Sequence, residues 1–382
     1  MNMKNLPIGI QSFEKLRKGD YLYVDKTRMV YDLTHSGGTY FFLSRPRRFG
    51  KSLLLSTLKA YFEGKRDLFE GLDIMELEHD WKQHPVLHLD LNTGDYTSVE
   101  GLWGMFRRHI INWEQQFNIK PTIDSLPERF VNIIMSMNDV VILVDEYDKP
   151  LLQDIDSDLR ESFFRILSTM FGVFKTCNAH IDFAMITGVT YTNVLESMNL
   201  YDTTLADNTA TICGFTDEEV RSVFAEHIAE MAAEKGMAES DFYDQFKAIC
   251  SGYRFSLKMD DVFNPYTVIN TFANNELQPY WYQSVTDDLI FKEFKKARVD
   301  TSILSKELLL SSNLNRIATN DIITWLFQTG YLTIKEYDRE LCLYSLGFPN
   351  REVEEGLMKS FIPQFNTEKR NIDEWHIKTD IL

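Results

Sequence analysis

The chain has little of what would build a secreted, membrane-spanning or nucleic-acid-coating protein. Cysteine is scarce: four in 382 residues. Cys177, Cys213, Cys250 and Cys342 lie far apart and form no CxxC pair. Neither a disulfide framework nor a thiolate zinc site is expected, and a reducing compartment fits. No stretch reaches the roughly 18 uncharged apolar residues of a membrane helix. The opening residues, MNMKNLPIGIQSFEKLRKGD, contain no apolar core of a secretory leader, so none is expected. Positive charge is short as well: 40 Lys and Arg against 57 Asp and Glu leave a net charge of −17. Such a field repels nucleic acid and anionic membrane, so any basic site must be a local island. The eight histidines show no HExxH spacing, which argues against a zinc hydrolase. His84 and His88 are four apart, but Pro85 and a strand pattern separate them. There is no GxSxG elbow, internal repeat or low-complexity tract. What remains, 44% hydrophobic and 25% charged residues, is the balance of a soluble protein, expected to be cytoplasmic and to hold two or three domains.

The first half alternates strand and helix patterns. Tyr40–Leu43, Val86–Leu91, Val140–Val144 and Ile181–Ile186 read as strands. Val140–Val144 is a continuous run of β-branched or aliphatic residues, the mark of a strand buried on both faces, and Ile181–Ile186 reads as another buried run. Ser52–Glu63, Pro127–Met137 and Leu159–Phe174 carry apolar residues at helical spacing. Alternation of this kind predicts an α/β fold with a parallel sheet covered by helices on both sides. In the second half, Asp217–Lys235 reads as one amphipathic helix ending at Gly236. Helices with loops follow to about Ser311, interrupted at Asn264-Pro265. Asn320 precedes an apolar helix, Ile322–Phe327, which Gly330 ends. Strands Tyr331–Tyr337 and Leu341–Leu346 follow, joined at Asp338-Arg339. Helix followed by hairpin is the outline of a winged helix.

The sharpest motif is Ser44-Arg45-Pro46-Arg47-Arg48-Phe49-Gly50-Lys51-Ser52, placed between a buried strand and an amphipathic helix. Backbone N–H groups at a helix start, together with the helix dipole, favour phosphate there. Gly50 admits a close approach, Lys51 reaches the β- and γ-phosphates, and the Ser52 hydroxyl ligates Mg²⁺. The expected cradle runs Arg47, Arg48, Phe49, Gly50, Lys51, Ser52 and Leu53. The pattern GxxxxGK[ST] asks for glycine where this chain has Arg45, so the first turn of the loop must differ. Arg45, Arg47 and Arg48 are expected to add charge-assisted contacts to phosphate or to a partner. From Tyr40 to Arg66 there are seven basic residues against one acidic, Glu63, which is the required island. Against this stands the plainer reading of a solvated basic turn. The buried run Val140–Val144 ends in Asp145-Glu146-Tyr147-Asp148, putting carboxylates at the ligand edge of a parallel sheet. Asp145 is expected to hold Mg²⁺ and Glu146 to polarise the attacking water. Ile181–Ile186 ends at Thr187-Gly188, and Thr187, with Asn193 in reserve, is the candidate sensor of the γ-phosphate. A plain Thr-Gly turn is the alternative.

These segments resemble the bacterial and archaeal AAA-ATPase-like proteins that usually precede a PD-(D/E)XK nuclease-like domain. The resemblance rests on LPIGIQSFEKLRKGDYLYVDKT at Leu6–Thr27, SRPRRFGKSLL at Ser44–Leu54, VILVDEYDKP at Val141–Pro150 and ITGVT at Ile186–Thr190. It continues through CGFTDEEV at Cys213–Val220, GYRF at Gly252–Phe255, NPYTVIN at Asn264–Asn270, and QTGYLTIKEYD with FPNREV near Gln328–Val353. It implies ATP with Mg²⁺, and a P-loop ATPase core of the additional-strand type over residues 1–236. A helical lid (237–300), a winged-helix-like module (301–365) and a tail or the start of a missing nuclease-like domain (366–382) would follow. Arg254 and Pro265 fall in the matching lid motifs and are carried over as nucleotide contacts. The plainer alternative makes them a helix-ending turn and a breaker. Tyr23–Thr27 either lies near the base or supplies a helix N-cap at Asp25. Glu293-Phe294-Lys295 matches ExK without the buried hairpin that would hold a metal, so no nuclease activity is expected.

The leading expectation is a slow, Mg²⁺-dependent ATPase acting as a switch for a nuclease-like domain or another protein partner. Arg160 and Arg165 are candidate fingers in trans, though a solvated helix face is the simpler reading. The alternatives are a non-hydrolysing nucleotide-gated scaffold and a DNA-binding regulatory module. The helix Asp321–Gln328 carries no Lys or Arg, so DNA contact is expected to be weak and a docking role favoured.

Overall fold

The computed structural model describes residues 4–367 apart from 122, 197, 259, 285–289, 291, 295–308 and 315–320, with side chains to residue 360. Asn320, Lys295 and the tail beyond residue 367 lie outside the described residues.

Five parallel strands form the main sheet: β1 (Tyr40–Ser44), β2 (Val86–Asp90), β3 (Val140–Asp145), β4 (Ile181–Gly188) and β5 (Tyr201–Asp202), in the order β2-β3-β4-β1-β5. Their sequences suit burial on both faces, because successive side chains enter two different cores. Phe41, Leu43, Val141, Leu143, Phe183 and Met185 face one core. Phe42, Ile142, Val144, Ala184 and Ile186 face the other. The helix Lys51–Phe62 covers the first face with Leu54, Leu55 and Leu58. Val99–Gln116, Leu126–Met135 and Ser157–Thr176 cover the second. The Val99–Gln116 helix is absent from the sequence expectation. Gly101 and Gly104 dilute its signal, but Leu102, Phe106, Ile110 and Trp113 still line one face, and the Ser98 side chain caps its start by accepting from Gly101 N.

Residues 215–274 build a third core around Phe224, Phe246, Phe263 and Phe272, joined by a short ladder of β6 (Phe215–Thr216) and β7 (Val262–Phe263). Here two expectations need correction. Asp217–Lys235 is not one helix but two, Asp217–Val223 and Ala225–Glu234. The break falls at Phe224, whose ring is wholly buried and stacks on Phe272 at 5.2 Å. Asn264-Pro265 does not interrupt a helix but opens one, Pro265–Asn274. The Asn264 Oδ1 accepts from Tyr266 N and Thr267 N, and proline suits the first helical turn because its missing N–H would have no partner there.

Near the C-terminus, β8 (Leu309–Ser311), β9 (Thr333–Asp338) and β10 (Leu343–Gly347) form an antiparallel sheet in the order β8-β10-β9. The helix Ile322–Thr329 precedes the β9–β10 hairpin and ends at Gly330, which sits at φ 94. The helix Arg351–Thr367 follows it. No helix among the described residues is long and apolar enough to cross a membrane.

Candidate nucleotide site

β1, β3 and β4 all deliver their C-terminal ends to one edge of the sheet, where a parallel fold receives its ligand. Beyond β1 the chain turns through residues 45–50 into the helix Lys51–Phe62. Gly50 takes φ +97, and a Cβ there would meet nothing within 4 Å, so glycine is needed for the backbone conformation and not for space. Phe49 is buried against Tyr253 and Phe255, with ring centroids 4.8 and 5.5 Å away, and pins the loop from behind.

Arg45 corrects the sequence reading. It is completely buried and turned away from any phosphate. Its guanidinium donates to the carbonyls of Ser44 and Thr204, both at 2.8 Å, and of Thr209 at 2.9 Å. It also lies 4.3 Å over the Phe255 ring. Burial lowers its pKa to about 10. Where the pattern has glycine, this chain uses an arginine that fastens the first turn of the loop to residues 204–209. Arg47 and Arg48 remain on the open side, Arg48 at φ 70 with its guanidinium 4.8 Å over Tyr266. The Lys51 ammonium is buried and folded back onto the carbonyls of Arg45 (2.9 Å) and Pro46 (3.2 Å).

At the tip of β3, Asp145 is nearly buried, and its Oδ1 accepts from the Thr187 hydroxyl at 2.9 Å. Thr187 is fully buried and lies behind Asp145, outside the lining of the cleft, so it is placed to orient the carboxylate and not to touch a phosphate directly. Asn193 is exposed and does not line the cleft. Glu146 has left-handed backbone at φ 49, an uncommon state for this residue type that concentrates at functional sites. Its carboxylate pairs with Lys149 at 3.8 Å. Asp148 is wholly buried and accepts from Val189 N (3.1 Å), Thr190 N (2.6 Å) and the Thr190 hydroxyl (2.7 Å). It locks the loop after β3 to the loop after β4. Desolvation nevertheless pushes its pKa up.

A cleft of about 370 Å³ joins the phosphate loop to Glu146, while Asp145, like Thr187, is not among its lining residues and sits one residue behind it. The loop residues Arg47 to Leu53 form one side, with Glu146, Lys149 and Asn92 at the sheet edge. Pro7–Gln11, Gly214, Phe215 and the start of the Pro265–Asn274 helix form the other. Pro265 is therefore on the cleft. Arg254 is not: its guanidinium pairs with Asp261 and donates to the Lys335 carbonyl. Of the Tyr23–Thr27 stretch, Tyr23, Val24 and Lys26 line the cleft, while Asp25 accepts from Thr27 N and Asp73 N. Lys26 pairs with Glu219 at 2.6 Å, and burial lowers its pKa. Arg160 donates to the carbonyls of Leu151 and Gln153 in its own chain, and Arg165 is an exposed partner of Glu161. Sequence reasoning missed Asn92, Lys149 and the walls at 7–11 and 214–215. Lys149 alone carried a signal, three residues beyond Glu146.

Sheet order, strand–loop–helix and paired carboxylates at one edge define an α/β protein with a P-loop NTPase-like core. A family model described as "Predicted AAA-ATPase" matches residues 7–196. A relative from Azotobacter chroococcum mcd 1, described as an uncharacterized protein in the vnfD 5' region, is 33% identical over 392 residues, which cover 97% of this chain and 72% of the relative. The chain belongs to the AAA-ATPase-like family, and that membership suggests nucleotide binding.

Proposed function

We propose that the protein binds ATP with Mg²⁺ in this cleft and hydrolyses it slowly, working as a nucleotide switch. The observation that carries the reading is the meeting of the 47–53 loop and Glu146 in one cleft, with Asp145 oriented by Thr187 beside it. Lys51 Nζ, now on loop carbonyls, is the group that would move to the β- and γ-phosphates. The Ser52 hydroxyl and the Asp145 carboxylate offer the hard oxygen donors that suit Mg²⁺, which would neutralise phosphate charge there. Glu146 would orient and polarise water once it leaves Lys149. The apolar wall of Pro7–Ile10, Phe215 and Pro265 suits a base.

The test is steady-state phosphate release with Mg²⁺ and ATP. Glu146→Gln should lower turnover about 100-fold or more while nucleotide affinity persists, as loss of a positioned general base does. Equal, background release from both proteins would reject hydrolysis and favour a non-hydrolysing scaffold, a reading that the Glu146–Lys149 pair supports. Thermal shifts with ATP and GTP would show which base is preferred.

The residues around β8–β10 we read as a winged-helix-like module and 237–300 as a lid. Docking of a nuclease-like or other protein partner is favoured over DNA reading. The Ile322–Thr329 helix carries no cation to anchor a phosphate and leaves only Ile323, Trp325 and Thr329 partly exposed.

A further inference from the structure

A second buried carboxylate lies outside the cleft, at the start of the Arg351–Thr367 helix. Glu352 is 3% exposed. Its Oε1 accepts from Trp281 N at 2.5 Å and Tyr282 N at 3.1 Å, and its Oε2 accepts from the Thr267 hydroxyl at 2.9 Å. The two elements that meet on this carboxylate each grip the phosphate loop. Trp281 is wholly buried, and its indole Nε1 donates to the Arg47 carbonyl at 2.9 Å. Thr267 follows Tyr266, whose ring lies under the Arg48 guanidinium. The packing leaves no slack. A Cβ at Gly356 would lie 2.3 Å from the Tyr282 ring, and one at Gly330 would lie 2.7 Å from Pro46 Cβ and 3.3 Å from the Trp281 ring.

The geometry points to Glu352 as a positioning residue for the phosphate loop: its carboxylate holds Trp281, which bonds the Arg47 carbonyl, and Thr267, whose neighbour Tyr266 lies under the Arg48 guanidinium. The C-terminal helix thereby regulates the nucleotide cleft without entering it. This deepens the nucleotide reading above and rests on it. Among the described residues, the titratable groups facing Glu352 are Cys250 from the Glu239–Cys250 helix and Tyr253 beyond it, each pushed up chiefly by burial and further by the Glu352 charge. The Pro265–Asn274 and Tyr280–Gln283 helices present Thr267, Trp281 and Tyr282. None of these is a cation, so the carboxylate is held by hydrogen bonds.

Two conservative variants of the full chain test the link. Trp281→Phe keeps an aromatic ring and removes the indole donor, and Glu352→Gln keeps the shape and removes the charge. One readout is amide hydrogen exchange across residues 44–52 without nucleotide, corrected for intrinsic rates. The other is affinity for a fluorescent ATP analogue. Both variants should raise loop exchange and weaken binding about tenfold, with a cooperative thermal transition retained. Loop protection in the wild type should fall between pH 8 and pH 6, while Glu352→Gln stays flat; a merely structural carboxylate would not produce that difference. Unchanged loop exchange in folded Trp281→Phe overturns the proposal, even if Glu352→Gln does not fold. A wild type that binds no nucleotide, with loop exchange still responding, overturns the proposed function and leaves the positional link standing.

Discussion

Thr187, just behind the cleft, has the sharpest consequence of any single side chain around it. Its hydroxyl spends its proton on Asp145 Oδ1 at 2.9 Å, inside the protein. A partner of this kind fixes which way the carboxylate faces, and losing one typically costs 10–100-fold in metal affinity or activity. Thr187→Val keeps the shape and deletes the bond. It should raise the Mg²⁺ concentration needed for half-maximal ATP turnover about tenfold, with little change in affinity for nucleotide measured without metal. A Mg²⁺ titration of phosphate release checks this. An unchanged Mg²⁺ requirement would return Thr187 to the sensor role that its place at the end of β4 suggests. The sequence located Thr187 but not its direction, because a strand tip can present a hydroxyl to the cleft or to its neighbour, and only the β3–β4 register decides.

At the scale of elements, the loop after β1 behaves as a clamped arch and not as a flexible glycine turn. Arg45 supplies the clamp from below through three carbonyls at 2.8–2.9 Å, and Phe49 supplies it from behind. Replacing Arg45 with glycine would match the GxxxxGK[ST] pattern more closely, yet it should weaken the protein. It opens a cavity in a closed core and strands buried carbonyls, each worth ~1–3 kcal/mol when unpaired. A loss of at least about 3 kcal/mol in urea unfolding is expected for Arg45→Gly. Unchanged stability would mean that the arch does not need its clamp. Four of the five strands of the main sheet and the order of loop and carboxylates were legible in the sequence, because those strands are short and largely apolar; β5 (Tyr201–Asp202) was not, being only two residues long. The inward turn of Arg45 was not, since a cation beside a glycine-lysine-serine motif reads as a phosphate ligand until its surroundings are known. The walls at Pro7–Gln11 and Gly214–Phe215 were equally hidden. They reach the cleft only through contacts between distant parts of the chain, and no local spacing encodes those.

For the whole molecule, hydrogen bonds among the described residues tie the C-terminal region to the nucleotide end, two of them at the loops themselves. Trp281 holds the Arg47 carbonyl, and Gln328 Oε1 accepts from Tyr191 N in the loop after β4. Asp148 binds that same loop to the end of β3. Contacts therefore run from the nucleotide end to the Tyr280–Gln283 and Ile322–Thr329 helices, a physical path that the proposed switch would need. Glu352 stands at the junction, and its desolvation gives the arrangement a pH signature. Burial pushes its pKa from 4.5 up to about 7. The folded state then binds a proton that the unfolded chain releases near pH 4.5. The stability from this group is full below that pH and is lost as pH rises through 7. Between pH 5.5 and pH 8 the wild type should lose about 2 kcal/mol relative to Glu352→Gln, which cannot titrate. Urea unfolding of both proteins at the two pH values measures the difference directly, with every other titrating group common to the pair. A gap that does not change with pH would mean that the carboxylate stays charged throughout, held by the N–H groups of Trp281 and Tyr282 strongly enough to offset its burial. The link to the phosphate loop would then persist at all physiological pH values and lose its sensitivity to protons.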